Sequence, residues 1–260
     1  MAYPLSVSPV FRLEEESKDR AYLYRMNTSP GLLAGDALKL SFTLDAGSQL
    51  YLADQAATKV HAMPKAGSRA TVDYAIEVGD RATLEFLPEP LILFADSALK
   101  QTTEIALSAT SALCWGEIIL PGRLARGEAY EFRECFSRLR VKAQGGRLWF
   151  TDAMKLTGKE NRFTHQALFA SGKVIGTLLL ILPEEIATKQ VLAELSKAVD
   201  ALSTASLQLA SSVLPPETGQ ERGLFVRAVG QTTREMQATF KLAVNEVRAV
   251  RNEAFLPYSV

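Results

Sequence analysis

The chain carries few of the side chains that usually perform nucleophilic or metal chemistry. Histidine occurs only as His61 and His165, and cysteine only as Cys114 and Cys135. No HExxH, GxSxG, CxxC, GxGxxG or GxxxxGKS/T string is present, so the signatures of zinc proteases, redox thiols and phosphate-binding loops are missing. A lone histidine is usually a structural or surface residue. The thiols suit a reducing compartment, and one interpretation is that both are simply buried apolar side chains.

Carboxylates offer more chemistry. Asp36, Glu85, Glu117, Glu128 and Asp152 lie beside predicted turns or strands. Two of them could act as general acid and base, as in glycosidases. Alternatively, carboxylates along a wet interior path could pass a hydrated cation, because hard oxygen ligands bind it weakly enough to release it. The spacing does not show that any two converge, so both hypotheses stay open beside the default that these are surface groups.

The segment QAATKVHAM, from Gln55 to Met63, is unusual for a strand. Its small residues Ala56, Ala57 and Thr58 permit close backbone approach. Lys59 could then be buried against a carboxylate, or it could be exposed on a tightly packed strand. The spacing favours the exposed lysine.

Alternating polar and apolar residues predict many short strands before residue 174. Turn formers such as Gly79-Asp80 and Pro121-Gly122 separate them, which indicates a mainly β body with antiparallel connections. The charged stretch from Glu14 to Arg20 is expected to be a solvated loop. No fixed-period repeat is visible. The predicted strands lie around residues 38–44, 72–78, 84–86, 130–132, 139–141 and 148–150.

The pattern changes in the C-terminal third. The apolar run from Val174 to Leu182 is too short to span a membrane and predicts a buried strand. A helix follows, opened by the acidic Glu184 and Glu185, where the helix dipole favours negative charge. Two more strands and a second helix, from about Thr232 to Glu253, complete a β-α-β-β-α order. We therefore divide the chain into a β body, residues 1–173, and a mixed part, residues 174–260, packed as one structural unit.

Composition limits the class of protein. The 260 residues include 29 basic and 29 acidic side chains, so the formal net charge is zero, whereas nucleic-acid binders usually show a basic excess. The N-terminus has no basic segment followed by an apolar core, as a signal peptide would. We expect a cytoplasmic protein that binds neither nucleic acid nor membrane.

An ordered set of strings resembles the urease accessory protein UreD family, also called UreH. QAATK is the most distinctive of them, and the resemblance runs from about residue 22 to residue 253. Two strings depart from the family: SPGLLAGD has single glycines where paired ones are usual, and RLEEESKD stands where a longer basic stretch and an RPFYPE-like string are usual. The matching strings are PGLLAGD (30–36), QAATKV (55–60), LEFLPEP (84–90), ILFA (92–95), GRLARGE (122–128), SRL (137–139) and GTLL (176–179), followed by strand 224–229 and its helix.

The resemblance implies a non-enzymatic scaffold in urease maturation. Such proteins bind apo-urease and UreF, and UreF recruits the nickel-carrying GTPase UreG. Nickel is thought to reach urease through a water-filled path inside the UreD-like protein, so Ni(II) is cargo in transit and no permanent cofactor is implied. The family fold is a β-helix-like stack. The expected fold class is therefore mainly β, a stack of short antiparallel strands with two α-helices in a mixed C-terminal part.

Matched to the family's motifs, the nickel path falls on Asp36, Thr58, Glu117 and Asp152. Oxygen groups of this kind would lower the desolvation cost of a hydrated dication without trapping it. A site rich in histidine or cysteine would hold nickel too tightly for onward transfer.

The other motif residues are expected to have structural roles. Lys59, Arg123 and Arg126 are expected to pair with carboxylates or to fix loops. The complete structural set is Gly31, Gly35, Lys59, Glu85, Arg123, Arg126 and Glu128.

Overall fold

Two facing β-sheets form the body, and two helices cover the outer face of the larger sheet. The computed structural model describes residues 4–14, 19–158, 173–217 and 219–257. The larger sheet has the spatial order β1 (Leu5–Val7), β2 (Arg20–Asn27), β4 (Gln49–Gln55), β7 (Thr83–Leu87), β10 (Ala112–Leu120), β13 (Val174–Ile181), β15 (Gly223–Gly230), β14 (Leu207–Val213). Off this path, β8 (Leu91–Leu93) pairs with β10, and β5 (Thr58–Val60) pairs with β8. The smaller sheet has the order β12 (Leu148–Thr157), β11 (Glu134–Lys142), β9 (Ala98–Leu107), β6 (Ala70–Val78), β3 (Ala37–Leu44).

The chain alternates between the sheets, and successive passes stack strands in a solenoid-like body. The predicted fold class, a mainly β stack with two helices near the C-terminus, is confirmed. The predicted strand direction is wrong for the body, because β3, β6, β9 and β11 run parallel, as do β2, β4, β7 and β10. Alternation shows that one face is buried but carries no information on direction. The antiparallel pairs join β1 to β2, β12 to β11, and β13 to β10. β15 pairs antiparallel with β13, and β14 with β15.

The stack leaves no regular period in the sequence. Leu38, Val72, Gln101 and Ser137 lie side by side across the smaller sheet, but the segments that connect them differ in length. Loops of unequal length between equivalent strands hide a structural repeat from any fixed-period search.

The predicted strand at residues 130–132 is wrong, whereas the other five predicted strands of the body are confirmed. Tyr130 and Phe132 are buried, as their apolar pattern indicated. Tyr130, however, has φ = 58°, which is incompatible with an extended strand. The chain turns there and becomes extended only from Glu134.

The expectation of a solvated loop between residues 14 and 20 is wrong at both ends. Arg20 opens β2 with a side chain only 1% exposed, and the Glu14 side chain is 10% exposed. Asp19 is exposed as expected, and residues 15–18 lie outside the described residues. Charged side chains can be buried when they pair with one another, and a run of charges does not show where its partners lie.

The predicted β-α-β-β-α order of the C-terminal part is confirmed, with helices α1 (Lys189–Asp200) and α2 (Thr233–Val250). Glu184 and Glu185 do not open α1. They lie in a turn before it, and the Thr188 side chain caps the helix by accepting a hydrogen bond from the Val191 N–H. Within the described ranges, no helix combines the length and the apolar character needed to cross a bilayer.

Strand β13 connects the body to the C-terminal part. It is buried along its whole length, because the helices pack on one face of the larger sheet and the smaller sheet lies against the other. It pairs with β10 of the body and with β15 of the C-terminal part. One sheet thus runs across the predicted division at residues 173 and 174, and that division stays a prediction.

Candidate functional site

A cavity of about 50 Å³ lies between the two sheets, beside the middle of β10. That volume is enough for a few water molecules. Apolar side chains of both sheets, Leu40 and Trp115 among them, form part of its wall. The polar wall is formed by Arg25, Asn27, Asp54, Thr58, Tyr74, Glu89, Gln101 and Glu117.

Glu117 is a buried carboxylate on this wall, 6% exposed. Its Oε2 accepts hydrogen bonds from the Gln101 side-chain amide and, at 2.9 Å, from Ser137 Oγ. Burial raises the pKa of Glu117 to about 7, although Ser137, Arg227 and Gln101 lower it. Both hydrogen-bond donors are neutral, and no Lys or Arg side chain forms an ion pair with this carboxylate within the described part of the chain.

A second carboxylate, Asp152, lies farther across the interior. In the larger sheet Glu117, Thr177 and Arg227 lie side by side on neighbouring strands. Arg227 Nη2 forms an ion pair with Asp152 Oδ2 at 2.6 Å, and Arg227 Nη1 donates to the Thr177 hydroxyl. The Asp152 side chain is 24% exposed. This line of polar side chains, which runs from Glu117 through Thr177 and Arg227 to Asp152, therefore reaches solvent at Asp152.

On the other side of Glu117, Arg25 holds Asp54 in a bidentate pair. The distances are 2.8 Å from Nε to Oδ1 and 2.7 Å from Nη2 to Oδ2, and Arg25 Nη1 donates to the Tyr74 hydroxyl at 2.8 Å. Thr103 neighbours Tyr74 in the smaller sheet. Its buried hydroxyl has no hydrogen-bond partner within the described part of the chain. We call the whole set the polar belt: Arg25, Asp54, Tyr74, Gln101, Thr103, Glu117, Ser137, Asp152, Thr177 and Arg227.

The structure brings together three of the four predicted path residues. Thr58 and Glu117 line the cavity, and Asp152 belongs to the polar belt. Asp36 lies apart. It is half-buried at the end of an exposed turn, where its Oδ2 accepts the Leu33 N–H at 2.8 Å. The assignment of these residues to a nickel path stays a prediction.

The glycine segment packs against the QAATK segment. Gly31 has φ = 142°, and a side chain there would collide with the Lys59 carbonyl and the His61 ring, so the contact requires glycine. Gly35, with φ = 88°, makes the next turn in open space. Lys59 is exposed, as its spacing favoured, and forms no ion pair with the described residues. Of the two roles expected for Lys59, pairing with a carboxylate does not occur in that part of the chain, whereas its backbone carbonyl accepts the Leu32 N–H at 2.8 Å and so helps to fix the glycine segment.

The GRLARGE string forms a loop that Glu128 ties together. The Glu128 carboxylate pairs with the Arg123 guanidinium and accepts the backbone N–H groups of Arg123 and Ala95. The hydrogen bond from Arg123 is the main reason that the pKa of Glu128 is lowered. Arg126 is exposed in a 3₁₀ turn, Leu124–Arg126, and has no carboxylate partner among the described residues. Arg123 therefore fixes a loop as expected, whereas Arg126 does not pair.

Glu85 belongs to an ionic cluster on the opposite face of the larger sheet. Its Oε1 accepts Arg248 Nε at 2.9 Å, and its Oε2 accepts Arg248 Nη2 at 2.6 Å and lies 3.1 Å from Arg20 Nη1. Glu14 and Glu253 pair with the same arginines. This cluster ties β2, β7 and the end of α2 together, which agrees with a structural role for Glu85.

Both cysteines are buried without a disulfide, as one interpretation of the sequence held. Burial raises the pKa of both thiols. His61 Nε2 donates to the Pro30 carbonyl at 3.0 Å, and the ring packs edge-on against Phe94. His165 lies outside the described residues. No group of three or more His, Cys, Asp or Glu side chains that could hold a metal occurs in residues 4–14, 19–158, 173–217 and 219–257.

Sequence analysis missed several members of the polar belt, notably Arg25, Asp54, Gln101, Ser137 and Arg227. A usable signal existed for two of them. Gln101 and Ser137 occupy inward positions of alternating strands, where an apolar residue is expected. A polar residue at such a position indicates a buried polar partner across the interior.

Comparison with known proteins gives one consistent result. A family model described as UreD urease accessory protein matches residues 1–258. The chain is 45% identical over 256 residues to the urease accessory protein UreD of Trichodesmium erythraeum (strain IMS101), covering 98% of this chain and 90% of that protein. It is 41% identical over 150 residues, 55% of each chain, to UreD of Actinobacillus pleuropneumoniae serotype 5b (strain L20). It is 32% identical over 218 residues, 84% of this chain and 69% of the other, to UreD of Haloarcula marismortui. The chain belongs to the UreD family of urease accessory proteins.

Proposed function

We propose that this chain is a urease maturation factor that binds apo-urease and UreF and helps deliver Ni(II) to the urease active site through its interior. Family membership supports the role in urease maturation. The observation that carries the interior route is Glu117, a buried carboxylate with neutral hydrogen-bond partners on the wall of a cavity between the sheets.

The chemistry of the polar belt suits a cation in transit. Ni(II) loses part of its hydration on entering the interior, and Glu117, Thr58 and the amide oxygen of Gln101 offer oxygen atoms in place of water. These are weak ligands for nickel compared with thiolate or imidazole, so the ion is passed on. Asp36 and Asp152, which are partly exposed, serve at the ends of the route.

The protein performs no catalysis in this proposal. It acts as a scaffold: UreF binds it, UreG joins through UreF, and apo-urease receives the metal. The alternative of a carbohydrate-active enzyme gains no support from the carboxylates, because Arg248 neutralises Glu85, Arg123 neutralises Glu128 and Arg227 neutralises Asp152.

The test is the nickel content of urease. The urease subunits and the other accessory proteins are co-expressed in a host lacking them, with and without this chain. We expect both nickel per urease and urea hydrolysis to require the chain. Equal nickel loading in its absence would refute the proposal.

A variant then tests the interior route. Glu117→Gln keeps the shape and the hydrogen-bonding capacity of the side chain but removes its charge. We expect lower nickel loading with UreF and urease still co-purifying. Glu104→Gln, on the outer face of the smaller sheet and 36% exposed, is the control and should load normally. Loss of partner binding by Glu117→Gln would instead assign this residue to the scaffold.

A further inference from the structure

The outer face of the smaller sheet is open to solvent. The two α-helices pack on the larger sheet, whereas outward side chains of the smaller sheet such as Lys39, Asp73 and Lys100 are exposed. Short side chains, Ser41 and Ala75 among them, leave an open groove of about 470 Å³ across β3, β6, β9 and β11. A groove of this size admits side chains of another molecule.

Two neighbouring rows of outward side chains on this face carry an excess of positive charge. The first row crosses the sheet as Ala37, Thr71, Lys100, Phe136 and Lys155. The second row crosses it as Lys39, Asp73, Thr102, Arg138 and Ala153. Four of these side chains are basic and one is acidic, whereas the whole chain has a formal net charge of zero. We call the four cations and the aromatic residue between them the basic patch: Lys39, Lys100, Phe136, Arg138 and Lys155.

The cations of the basic patch lack the carboxylate partner that the adjoining row has. There, Glu104 pairs with Arg140 at 3.0 Å and with Lys142 at 2.7 Å. The neutral Thr102 lies beside Arg138 instead, and Arg138 Nε is buried with no hydrogen-bond partner in the described part of the chain. The three lysines of the patch form no ion pair with the described residues. Their charge is therefore left for a group outside the chain.

The composition of the basic patch fits a partner that binds and leaves. Exposed cations speed the encounter with an acidic surface, and their contacts weaken as the salt concentration rises. Phe136, half-buried between Lys100 and Lys155, adds an apolar contact at the centre. Permanent interfaces are more apolar than this, and Phe136 is the one large apolar side chain in the two rows.

We propose that the basic patch docks a carboxylate-rich surface of apo-urease. The proposal rests on the proposed role in urease maturation and extends it by assigning the surface that meets the enzyme. In that role apo-urease leaves once it holds nickel, whereas UreF remains to recruit UreG. A charged, salt-sensitive surface suits the partner that is released, so we place apo-urease here and UreF elsewhere.

Charge reversal in the basic patch tests this docking surface. Lys100→Glu/Lys155→Glu makes two exposed positions beside Phe136 acidic. We expect its association rate with purified apo-urease, measured by biolayer interferometry, to fall about tenfold at about 0.05 M salt and by less at about 0.3 M salt. UreF binding should not change. Lys189→Glu/Lys197→Glu makes the same charge change at exposed positions of α1 and should associate as the unmodified chain does.

Single substitutions in the second row sharpen the test. Arg138→Gln removes one positive charge and Arg138→Lys keeps it, so only the first should slow association with apo-urease, by about threefold. Asp73→Asn removes the acidic side chain of the two rows and should speed association by about the same factor. Thermal unfolding of each variant checks that it folds, so that a changed rate reports charge.

The outcomes separate this inference from the proposed function. If urease fills with nickel equally well without the chain, the proposed function itself is refuted. If the chain is required, but folded Lys100→Glu/Lys155→Glu binds apo-urease at the unmodified rate, only the docking surface is refuted. Loss of UreF binding in place of apo-urease binding would also refute it. So would a poly(dT) oligonucleotide that binds the unmodified chain and not the variant while apo-urease binds both equally, because the basic patch would then serve nucleic acid.

Discussion

Two buried glutamates on neighbouring strands of one sheet have opposite surroundings. Glu85 on β7 faces α2 and contacts the guanidinium groups of Arg248 and Arg20. Glu117 on β10 faces the smaller sheet and, among the described residues, accepts hydrogen bonds only from Gln101 and Ser137. Both are almost fully buried, at 0% and 6% exposure.

The comparison shows that burial of a carboxylate does not by itself indicate function. Around Glu85, three carboxylates and three arginines pair within one cluster, so the role of Glu85 is structural. Although burial alone lowers the pKa of Arg248, its contact with Glu85 more than offsets this and raises it. Within the described residues, no arginine or lysine contacts Glu117 in this way, so in the proposed delivery its carboxylate is left for the incoming cation.

Removing the counter-charge of Glu85 should have the largest effect on the free energy of unfolding. Arg248→Ala leaves Glu85 buried with only Arg20 beside it, and we expect the free energy of unfolding to fall by about 3–5 kcal/mol. Urea denaturation followed by circular dichroism measures it. Arg140→Ala is the matched control, because Arg140 pairs with Glu104 at the surface and should cost no more than about 1 kcal/mol. Similar losses in the two variants would show that the cluster is not the structural support described here.

Removing the charge of Glu117 should instead raise the free energy of unfolding above neutral pH. Its folded pKa of about 7 lies above the unfolded value of about 4.3, so the native state binds the proton more tightly. The free energy of unfolding therefore falls as the pH rises from about 4 to about 7, and then levels off. Glu117→Gln removes this contribution and should be more stable than the unmodified chain by about 4 kcal/mol at pH 8, with little difference near pH 4.

Urea denaturation of both proteins across this pH range measures the difference. The comparison between the two glutamates fails if Glu117→Gln destabilises the protein at pH 8, because Glu117 would then have a structural role like that of Glu85. Glu85→Gln is the useful second variant, since it leaves two buried arginines short of a counter-charge and should destabilise at the same pH.

Alternation predicted part of the strands, because it reports burial of one face directly. Five of the six predicted body strands and all three predicted C-terminal strands occur where the pattern placed them, whereas seven described body strands were not predicted: β1, β2, β4, β5, β8, β9 and β10. Direction and partners were not predictable, because the pairing of β3 with β6 depends on how the chain crosses between sheets. The burial of Arg20 and the contacts of Glu117 were not predictable either. Arg20 lies in a charged run and Glu117 in an apolar strand, and the partners of both are distant in the sequence.

The candidate site could be predicted only in part from the sequence. Family motifs pointed to Thr58 and Glu117, which line the cavity, and to Asp152, which joins the polar belt. They did not indicate Gln101 and Ser137, which hold Glu117. The most distinctive string, QAATK, has its lysine exposed, and what it contributes to the cavity wall is Ala56 and Thr58.

The smallest effect on stability is expected for Thr58→Val. Compared with Glu117→Gln, it shows whether a neutral oxygen or a charge on the cavity wall matters more for nickel loading. Thr58→Val replaces a hydroxyl on the wall by a methyl group of similar size, so the free energy of unfolding should change by less than about 1 kcal/mol. Nickel loading should fall by less than in Glu117→Gln, since a neutral oxygen offsets less of the desolvation cost than a carboxylate does. Measuring nickel bound per urease for both variants under limiting nickel shows which substitution impairs loading more. If Thr58→Val were the more damaging change, hydration along the wall would matter more than the charge of Glu117, and the contrast with Glu85 would no longer explain transit.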